Sequence, residues 1–481
     1  MLARTKTKEY MKSLLEKFLA LDLVVLRSQT ASLLFCPERF VLMRLSDEGL
    51  GAAELALSPD CTDALMESPK IAGFLRIAVD YVSRSPKLKI FDTALIGSTG
   101  EKRILPKLVL MVNNLCNLQC RYCYEHETAF KLPAQCISRS AVRTTIDKCY
   151  ELFEAIKTIM FIGGEPTLSE EAIEEACEYS IAEASRLARE KPGFGMITNG
   201  VRISEHLHEV IERYGIQLTF SVDGPKAMND LVRIRKDGSG SYDAVSLNIK
   251  HYAELHADTI SIESTVTRAQ SNSGLSVSRL LDFIADEFGI VAPHITLACL
   301  PDGHSLMPAD AGAAALDKDY LDAVELSVTR ILDDTTSGDV SSTGPRLSYV
   351  ADVMRALARK SATAAMCSAG TTQLVVDSHA DVYPCWMFAG KPEFRMGNIV
   401  NDSLELILGS TALSNVKANT KMTNIHCSSC YARFLCHACI GNNHIRTGFM
   451  EEMDPRFCDR TRQSLVTVLT GIASRSVGST R

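Results

Sequence analysis

The placement of sixteen cysteines constrains this 481-residue chain more than any other feature of its sequence. Ten of them form two spaced groups, between residues 116 and 123 and between residues 367 and 458. The apolar stretch near residues 21–26 is too short for a secretion signal, so a disulfide framework is not expected. Buried thiols, zinc sites and iron–sulfur clusters remain as explanations. The six isolated cysteines are expected to be ordinary core residues: Cys36, Cys61, Cys136, Cys149, Cys177 and Cys299.

The composition and charge of the chain indicate which partners it lacks. At 46% hydrophobic and 23% charged residues, the chain is typical of globular proteins. Its formal net charge of −7 gives no general attraction to nucleic acid or to an anionic membrane. No run approaches the ~18 apolar residues that a membrane-spanning helix needs. We therefore expect a cytoplasmic protein with no nucleic-acid partner and no membrane partner.

Strand and helix patterns alternate from Leu108 to about Leu300, which indicates a parallel sheet with right-handed crossovers. The predicted strands are Leu108–Asn113, Thr158–Ile162, Gly195–Thr198, Gln217–Val222, Thr259–Val266 and His294–Cys299. The predicted helices between them include Ser169–Glu190, Ser204–Tyr214, Tyr242–Leu255 and Val277–Phe288. Six such units predict an α/β fold with a partial (β/α)6 TIM-like barrel, whose catalytic loops lie at the carboxyl ends of its strands.

The rest of the chain is expected to form three further regions around a barrel of residues 101–300. Residues 1–100 predict a small α+β domain. Residues 301–364 predict a helical linker that includes a polar stretch at Asp333–Gly344, and residues 365–481 predict a cysteine-rich, loop-like domain with a C-terminal helix. In the first region the predicted strand-like runs are Ala31–Cys36, Phe40–Leu45 and Ala52–Leu57, and a helix is predicted near Ala72–Val82.

The first cysteine group directly follows the first predicted barrel strand, as Cys116-x3-Cys120-x2-Cys123. Soft thiolate ligands suit iron–sulfur chemistry, and three thiolates this close can surround one cluster. Because a four-iron cluster has four metal corners, three cysteines leave one iron free for another ligand. A structural thiol group or a three-cysteine zinc site remains the alternative on spacing alone.

This C-x3-C-x2-C spacing after a first strand resembles the signature of the radical S-adenosylmethionine (SAM) superfamily. In that family SAM chelates the open iron, and an electron from the cluster cleaves SAM to give a 5′-deoxyadenosyl radical. The resemblance implies that Cys116, Cys120 and Cys123 hold the cluster, and that Tyr122 lies near the adenine of SAM.

A second motif, Gly163-Gly164-Glu165-Pro166, follows the second predicted strand and resembles the segment that binds the SAM amino group in this family. Its chemistry suits that role, because glycines allow the backbone to approach a ligand and a carboxylate can accept a hydrogen bond from an ammonium group. Taken alone, the same four residues could be a helix-entry turn. Their position one strand after the cysteine loop favours the SAM motif.

Polar residues also end the third and fourth predicted strands. Thr198 and Asn199 end the third strand, and Ser221 and Asp223 end the fourth, where they resemble residues that contact the ribose or methionine part of SAM. Arg233 resembles an arginine that pairs with the SAM carboxylate, for which a guanidinium fork is well shaped. Each of these side chains could instead belong to an ordinary turn or to the surface.

The carboxyl-terminal group holds seven cysteines, too many for one structural zinc, and its two CxxC pairs are closer than the ~15–20 residues of paired zinc knuckles. The pattern resembles the SPASM extension of radical SAM proteins, which holds two auxiliary four-iron clusters. The resemblance assigns Cys427, Cys430, Cys436 and Cys458 to one cluster and Cys367, Cys385 and Cys439 to the other, nearer the active site. The implied cofactors are therefore SAM and three 4Fe–4S clusters.

Two departures from the SPASM pattern stand out. The last spacing is Cys436-x2-Cys439 where the family has three intervening residues, and Ala380 replaces a usual glycine. Seven cysteines for eight cluster corners also imply an open iron or a further ligand. A substrate thiolate, water, His437 or an isolated cysteine could fill that corner.

The resemblance implies an enzyme that abstracts hydrogen from a ribosomal precursor peptide or a protein, forming a crosslink or another oxidative modification. Residues 1–100 then resemble the winged-helix-like domain in which a leader peptide pairs with an exposed strand, although a structural cap is an equal alternative. An electron donor such as flavodoxin or ferredoxin is the other expected partner. The alternatives are an anaerobic sulfatase maturase, which oxidises a cysteine or serine, an electron-transfer protein without SAM chemistry, and a zinc-stabilised binding module. No catalytic acid or base is identified.

Overall fold

The structure is a computed structural model that describes residues 2–58, 68–91, 103–256, 259–301, 303–307, 310–337 and 344–475. Within these residues, the amino-terminal region consists of a small antiparallel sheet and three helices. The sheet has the order β1-β2-β3. The helices are α1 (Leu2–Leu19), α2 (Asp47–Leu57) and α3 (Pro69–Ser83), and the strands are β1 (Val24–Arg27), β2 (Ser32–Cys36), β3 (Val41–Leu45) and a separate β4 (Lys89–Phe91). The region is thus α+β, as its pattern predicts.

One predicted strand in this region is wrong. The run Ala52–Leu57 lies in helix α2 and not in a strand. The side chain of Ser46 caps that helix by accepting a hydrogen bond from the backbone N–H of Gly49, and Asp47 lies in its first turn, where a negative charge is favourable. The apolar run at its end therefore reflects the buried side of a helix, with Ala53 and Ala56 in the core.

Six parallel strands form the central sheet in the predicted order, each hydrogen-bonded to the next along the chain. They are β5 (Ile104–Met111), β6 (Ala155–Ile162), β7 (Gly193–Thr198), β8 (Gln217–Ser221), β9 (Ile260–Val266) and β10 (His294–Leu297). The helices between them are α4 (Arg139–Leu152), α5 (Glu170–Arg186), α6 (Glu205–Tyr214), α7 (Lys226–Val232), α8 (Tyr242–His256), α9 (Arg268–Asn272) and α10 (Val277–Phe288). The partial TIM-like α/β core is therefore confirmed.

Local sequence signals explain where these helices begin and end. Helix α6 starts after Ser204, whose side chain accepts a hydrogen bond from the backbone N–H of Leu207, and it stops at Gly215 with φ of 61°. Helix α10 is built in the same way, between Ser276 and Gly289. A serine cap and a left-handed glycine are the usual signals for the two helix ends, so the sequence defines these boundaries closely.

The carboxyl-terminal region extends the central sheet instead of forming a loop-like appendage. Strand β12 pairs in parallel with β5, and the full strand order is β10-β9-β8-β7-β6-β5-β12-β13-β14. The added strands are β12 (Gln373–Val376), β13 (Asp381–Tyr383) and β14 (Gly397–Asn398), while β11 (Ser361–Thr363) pairs with β4. The helices are α11 (Asp310–Ser337), α12 (Ser348–Arg359), α13 (Leu404–Leu408), α14 (Thr411–Ala418), α15 (Ile440–Thr447) and α16 (Pro455–Arg475).

The region predicted as a helical linker contains α11 and α12. The polar stretch Asp333–Gly344 is not all linker, because α11 continues to Ser337; residues 338–343 lie outside the described residues. In the described part of the chain, no helix is long and apolar enough to cross a membrane.

Candidate active site

The first cysteine group lies in the loop that follows β5, and backbone hydrogen bonds hold this loop against the segment after α7. The N–H of Gln119 donates to the carbonyl of Ile234 at 2.8 Å, and the N–H of Arg121 donates to that of Val232 at 2.9 Å. A loop after one strand is thereby fixed by the segment that follows β8. This pairing brings Arg233 next to the cysteines.

The three thiols of this loop lie close to one another and are all free. Burial raises the pKa of Cys116 to about 12, and the neighbouring Cys120 raises it as well. Burial, Glu125 and Cys120 likewise raise the pKa of Cys123. Thiolates at this place therefore need a positive partner, and iron would supply it, since metal binding couples to thiol deprotonation.

The glycine motif packs directly on the start of the cysteine loop. The N–H of Gly164 donates to the carbonyl of Asn113, and that of Glu165 donates to the carbonyl of Leu115 at 2.6 Å. A Cβ atom on Gly164 would lie 2.2 Å from the Leu115 oxygen, and Gly163 has φ of 146°. Only glycine fits such contacts, so these two residues are required by the close approach of two backbone segments.

Glu165 joins the ends of two neighbouring strands. Its carboxylate accepts hydrogen bonds from the Thr198 hydroxyl at 2.5 Å, from the Asn199 N–H at 2.7 Å and from the Thr167 N–H at 3.1 Å. The side chain is almost fully buried, and burial raises its pKa while these hydrogen bonds oppose the rise. The carboxylate thus positions the turn after β6, where Pro166 follows, against the end of β7.

Tyr122, Asp223 and Arg233 form a buried hydrogen-bonded triad. The Tyr122 hydroxyl donates to Oδ2 of Asp223 at 2.6 Å and accepts from the Arg233 guanidinium at 2.5 Å. The other Asp223 oxygen accepts from the N–H of Thr265 at 2.9 Å. Burial raises the pKa of Asp223, while Arg233 and these hydrogen bonds lower it. Both carboxylate oxygens of Asp223 accept hydrogen bonds within the protein, so Asp223 holds the side chains of Tyr122 and Arg233 in position.

Asn199 and Ser221 complete the strand-end residues. The Asn199 amide nitrogen donates to Oδ1 of Asn117 at 2.8 Å and lies 3.8 Å from the sulfur of Cys116. Ser221 is half-buried at the end of β8 and faces the same space. The carboxyl ends of β6, β7 and β8 therefore meet around the cysteine loop, where the barrel topology predicts the site.

The seven carboxyl-terminal cysteines separate into two sets of thiols by the neighbours that act on them. Burial raises the pKa of Cys427 and of Cys436, and the sulfurs of Cys458 and Cys430 raise both further. Burial likewise raises the pKa of Cys385, and the sulfurs of Cys439 and Cys367 add to that rise. Only two residues separate Cys436 of the first set from Cys439 of the second. We name the first the outer set (Cys427, Cys430, Cys436 and Cys458) and the second the inner set (Cys367, Cys385 and Cys439). These are the two ligand groups that the SPASM resemblance implies, and their roles as ligands stay a prediction.

One cavity of ≈ 540 Å³ connects the first cysteine group to the inner set. Its lining includes the predicted SAM-site and first-cluster residues Cys116, Cys120, Tyr122, Cys123, Gly163, Gly164, Glu165, Thr198, Asn199, Ser221 and Arg233. It also includes Trp386, Met387, His437 and Cys439 of the carboxyl-terminal region. Its volume falls within the roughly 300–1,000 Å³ typical of small-molecule sites.

Several cavity residues are not recognisable from sequence patterns. Glu125 is buried beside the cysteine loop, and burial raises its pKa to about 8. Its Oε2 atom and the hydroxyl of Tyr349 lack hydrogen-bond partners among the described residues. Both side chains line the cavity. Glu125 stands two residues after Cys123, which is the one sequence signal that could have drawn attention to it.

The expectation that the isolated cysteines are core residues holds for three of them and is wrong for two. Cys36, Cys149 and Cys177 are buried, whereas Cys136 is exposed. Cys299 follows β10 and lines the cavity, where its thiol donates to the Asn442 carbonyl at 3.3 Å. Because Cys299 has mostly apolar neighbours in the sequence, the sequence predicted a core position and not a position on the cavity wall. Cys61 lies outside the described residues.

The donor chemistry of the three thiol groups fits iron–sulfur clusters, since each group supplies three or four soft sulfur ligands and none of these sulfurs is in a disulfide. Among the described residues, no three Cys, His, Asp or Glu side chains converge on a single metal-ion position. The first group and the inner set offer three thiols each, and the outer set offers four.

Comparisons with known protein families match two separate parts of the chain. Residues 110–271 match the family model of the radical SAM superfamily, and residues 367–431 match the model of the SPASM iron–sulfur cluster-binding domain. An uncharacterized protein of Methanocaldococcus jannaschii is 33% identical over 134 residues, which are 28% of this chain and 44% of that protein.

Two further likenesses extend over most of the chain. The cysteine-type anaerobic sulfatase-maturating enzyme of Clostridium novyi is 20% identical over 373 residues, 75% of this chain and 92% of that enzyme. The solved structure of native anSMEcpe with bound AdoMet and Cp18Cys peptide has a TM-score of 0.61 and 18% identity, and the match covers 78% of this chain and 99% of that one. At that identity the likeness shows a shared fold.

Proposed function

The chain carries a radical SAM domain followed by a SPASM domain, and on that premise we propose that it is a peptide-modifying radical SAM enzyme. It would cleave SAM reductively to a 5′-deoxyadenosyl radical, which abstracts hydrogen from a ribosomal precursor peptide. The product would carry a crosslink or another oxidative modification. Three 4Fe–4S clusters and SAM are the proposed cofactors.

The observation that carries this proposal is the single cavity between two cysteine groups. Its lining includes Cys116, Cys120 and Cys123 of the first group and Cys439 of the inner set. A substrate in this cavity would touch both a SAM-derived radical and an auxiliary cluster. A protein that only transfers electrons needs no cavity of ligand size between its clusters, so the geometry favours catalysis over the electron-transfer alternative.

The first cluster, when bound, supplies the electron that cleaves SAM, and the protein supplies position and exclusion of water. We assign Cys116, Cys120 and Cys123 as its ligands. Gly163 and Gly164 would let the backbone approach the SAM amino group, and Pro166 would end that turn. Thr198, Ser221 and Arg233 would contact the rest of SAM, with Tyr122 and Asp223 positioning Arg233.

Two polar side chains of the cavity lining support a polar substrate such as a peptide. Glu125 and Tyr349 line the cavity, and the buried Glu125 Oε2 atom and Tyr349 hydroxyl have no hydrogen-bond partner among the described residues. Burying such groups unpaired costs about 1–3 kcal/mol each, and a bound peptide toward which these side chains turned would remove that cost. The structure of anSMEcpe has both AdoMet and a peptide bound, which is in keeping with this use of the fold.

The amino-terminal sheet is a proposed binding place for the leader of such a peptide. Strand β3 stands at the edge of the order β1-β2-β3, so an extended segment could add to it. We further propose a cytoplasmic location, with a flavodoxin or ferredoxin as electron donor. These roles are proposed by analogy with peptide-modifying enzymes, which residues 110–271 and 367–431 resemble in their domains.

The test uses protein reconstituted with iron and sulfide under anaerobic conditions and then given SAM and dithionite. We expect the wild type to form 5′-deoxyadenosine, measured by mass spectrometry. The triple variant Cys116→Ala, Cys120→Ala, Cys123→Ala should form at least a hundredfold less, because its open-iron site is gone, yet it should keep its auxiliary iron. Retained cleavage in the triple variant would refute the assignment of these ligands.

A matched control for that experiment is Cys136→Ala, which removes an exposed thiol of the same domain outside the cavity. It should retain wild-type formation of 5′-deoxyadenosine. If this variant lost the activity to the same extent as the triple variant, the loss would reflect general damage to the barrel and not a missing cluster.

Sulfatase maturation is the second candidate, because a relative that matches 75% of this chain is a sulfatase-maturating enzyme. A sulfatase peptide with a target cysteine or serine separates the two functions. Conversion of that residue to an aldehyde, trapped with a hydrazine reagent, would favour the maturase. Absence of aldehyde, together with a mass change in a precursor peptide, would favour the first proposal.

A further inference from the structure

Lys421 is a buried cation that lies between the inner and outer cysteine sets. Its side chain is 4% exposed, and its ammonium donates a hydrogen bond to the Cys436 carbonyl at 3.0 Å. The ammonium interacts electrostatically with Cys436 and Cys427 of the outer set and with Cys367 of the inner set. One positive charge therefore acts on both sets.

The backbone also holds Lys421 at this place. Its N–H donates to the Ala364 carbonyl at 2.8 Å, and the preceding residue, Thr420, forms an antiparallel bridge with Ala365. These contacts tie it to the segment that leads into Cys367. Lys421, Cys367 and Cys436 then line one small cavity of ≈ 340 Å³ between the two sets.

No carboxylate pairs with Lys421 in the described part of the chain, and this is unusual for a buried lysine. The groups around its ammonium are instead the Cys436 carbonyl and the sulfurs of Cys436, Cys367 and Cys427. Isolated buried charges are strongly unfavourable unless an opposite charge compensates them. Iron–sulfur clusters carry net negative charge through their thiolate ligands, so two such clusters would provide that compensation.

We propose that Lys421 is a counter-charge shared by the two auxiliary clusters, and that it raises the reduction potentials of both. A cluster becomes more negative when it accepts an electron, so a fixed positive charge nearby favours its reduced form. In the protein interior, charges interact more strongly than in water, so one ammonium can act on both clusters at once. This inference rests on the proposed function, because it requires clusters at both sets.

The experiment is a redox titration followed by electron paramagnetic resonance. Full-length protein is reconstituted with iron and sulfide in the Cys116→Ala, Cys120→Ala, Cys123→Ala background, which leaves only auxiliary signals. Lys421→Met removes the charge and keeps the length of the side chain, while Lys421→Arg keeps the charge. Lys87→Met, at an exposed surface lysine, controls for the loss of one charge elsewhere.

We expect Lys421→Met to lower both auxiliary potentials enough to change the ratio of reduced to oxidised cluster at least tenfold, about 59 mV for a one-electron couple. Lys421→Arg and Lys87→Met should titrate like the background protein. Unchanged potentials in fully loaded Lys421→Met, or a shift in only one cluster, would overturn the proposal of a shared charge.

Iron content keeps the proposal testable if Lys421→Met loads poorly. Loss of iron in Lys421→Met with full loading in Lys421→Arg would support a charge requirement, whereas loss in both would overturn it. Background protein without iron at either set would overturn the proposed function as well. Loaded background protein with unmoved potentials in Lys421→Met would overturn this inference alone.

Discussion

At the scale of single residues, the sequence predicts which residues belong to the site more reliably than it predicts the contacts of their side chains. Ser221 and Arg233 line the cavity, as expected of residues that contact SAM. Asp223 has the same motif position but is fully buried, with both oxygens bound by Tyr122 and Thr265. A motif fixes the order of residues along the chain, and the twist of a strand end decides whether a side chain faces the cavity or the supporting layer behind it.

The triad of Tyr122, Asp223 and Arg233 leads to a prediction about stability. Tyr122→Phe removes a hydroxyl that donates to a buried carboxylate and accepts from a buried guanidinium. Hydrogen bonds to charged groups contribute about 1.5–3 kcal/mol, so we expect the variant to lose roughly that amount. Denaturant unfolding of the reconstituted protein measures the change.

The matched control is Tyr81→Phe, which removes an exposed hydroxyl that donates to the Leu42 carbonyl at 3.3 Å. We expect that variant to change stability by less than about 0.5 kcal/mol. Equal losses of unfolding free energy in the two variants would contradict the view that the triad stabilises the fold more than an exposed hydrogen bond does.

At the scale of elements, local patterns predict the barrel well and non-local pairing poorly. The six barrel strands and the helices between them agree with the sequence to within a few residues, because caps and strand alternation are local signals. The pairing of β12 with β5 joins residues more than 260 positions apart, for example Gln373 with Lys107, and no local pattern reports it. The carboxyl-terminal region therefore looked loop-like although it completes the sheet.

Ala380 shows how a departure from a family pattern can preserve geometry. The SPASM pattern has glycine at this position, and Ala380 adopts φ of 63°, the left-handed conformation that glycine favours. Its N–H donates to the Asp377 carbonyl, and its own carbonyl accepts from Ile399. The turn between β12 and β13 therefore keeps its shape with alanine, at the cost of a less favourable backbone conformation.

The same turn gives a prediction about pH. Burial raises the pKa of Asp377 from 3.8 to about 6, although the N–H groups of His379 and Asp381 donate to its carboxylate. Between these pH values the folded protein keeps the proton and the unfolded chain releases it. The contribution of Asp377 to stability should therefore fall by about 3 kcal/mol at most as pH rises from about 4 to about 6, and it should stay level above pH 6.

Asp377→Asn should remove the Asp377 part of the pH dependence, because the amide does not titrate in this range and its oxygen can accept the same two hydrogen bonds. Unfolding curves at pH 4, 5, 6 and 7 compare the two proteins, and at pH 7 the variant should be the more stable by about 1–3 kcal/mol. A difference in stability between the two proteins that stays constant from pH 4 to pH 6 would contradict the assignment.

At the scale of the whole molecule, the three groups of thiols lie on segments far apart in the chain. Spacing alone left zinc and structural thiols open for the first group, and it could not sort seven carboxyl-terminal cysteines. The fold adds tertiary information that spacing lacks: α15 begins directly after Cys439, whose sulfur accepts a hydrogen bond from the Asn442 N–H, and Cys458 lies on α16. The cavity, and not the motif, links the first group to the inner set.

Mössbauer spectroscopy of wild-type protein reconstituted with iron-57, before and after addition of SAM, would decide whether three clusters and a SAM-binding iron are present. We expect about twelve irons, three times the four of each cluster, and a change on SAM addition in the signal of one iron of the first cluster only. Iron bound at fewer than three sites would contradict the assignment of thiol groups. A spectrum that SAM leaves unchanged, or protein that takes up zinc in place of iron, would contradict the central claim.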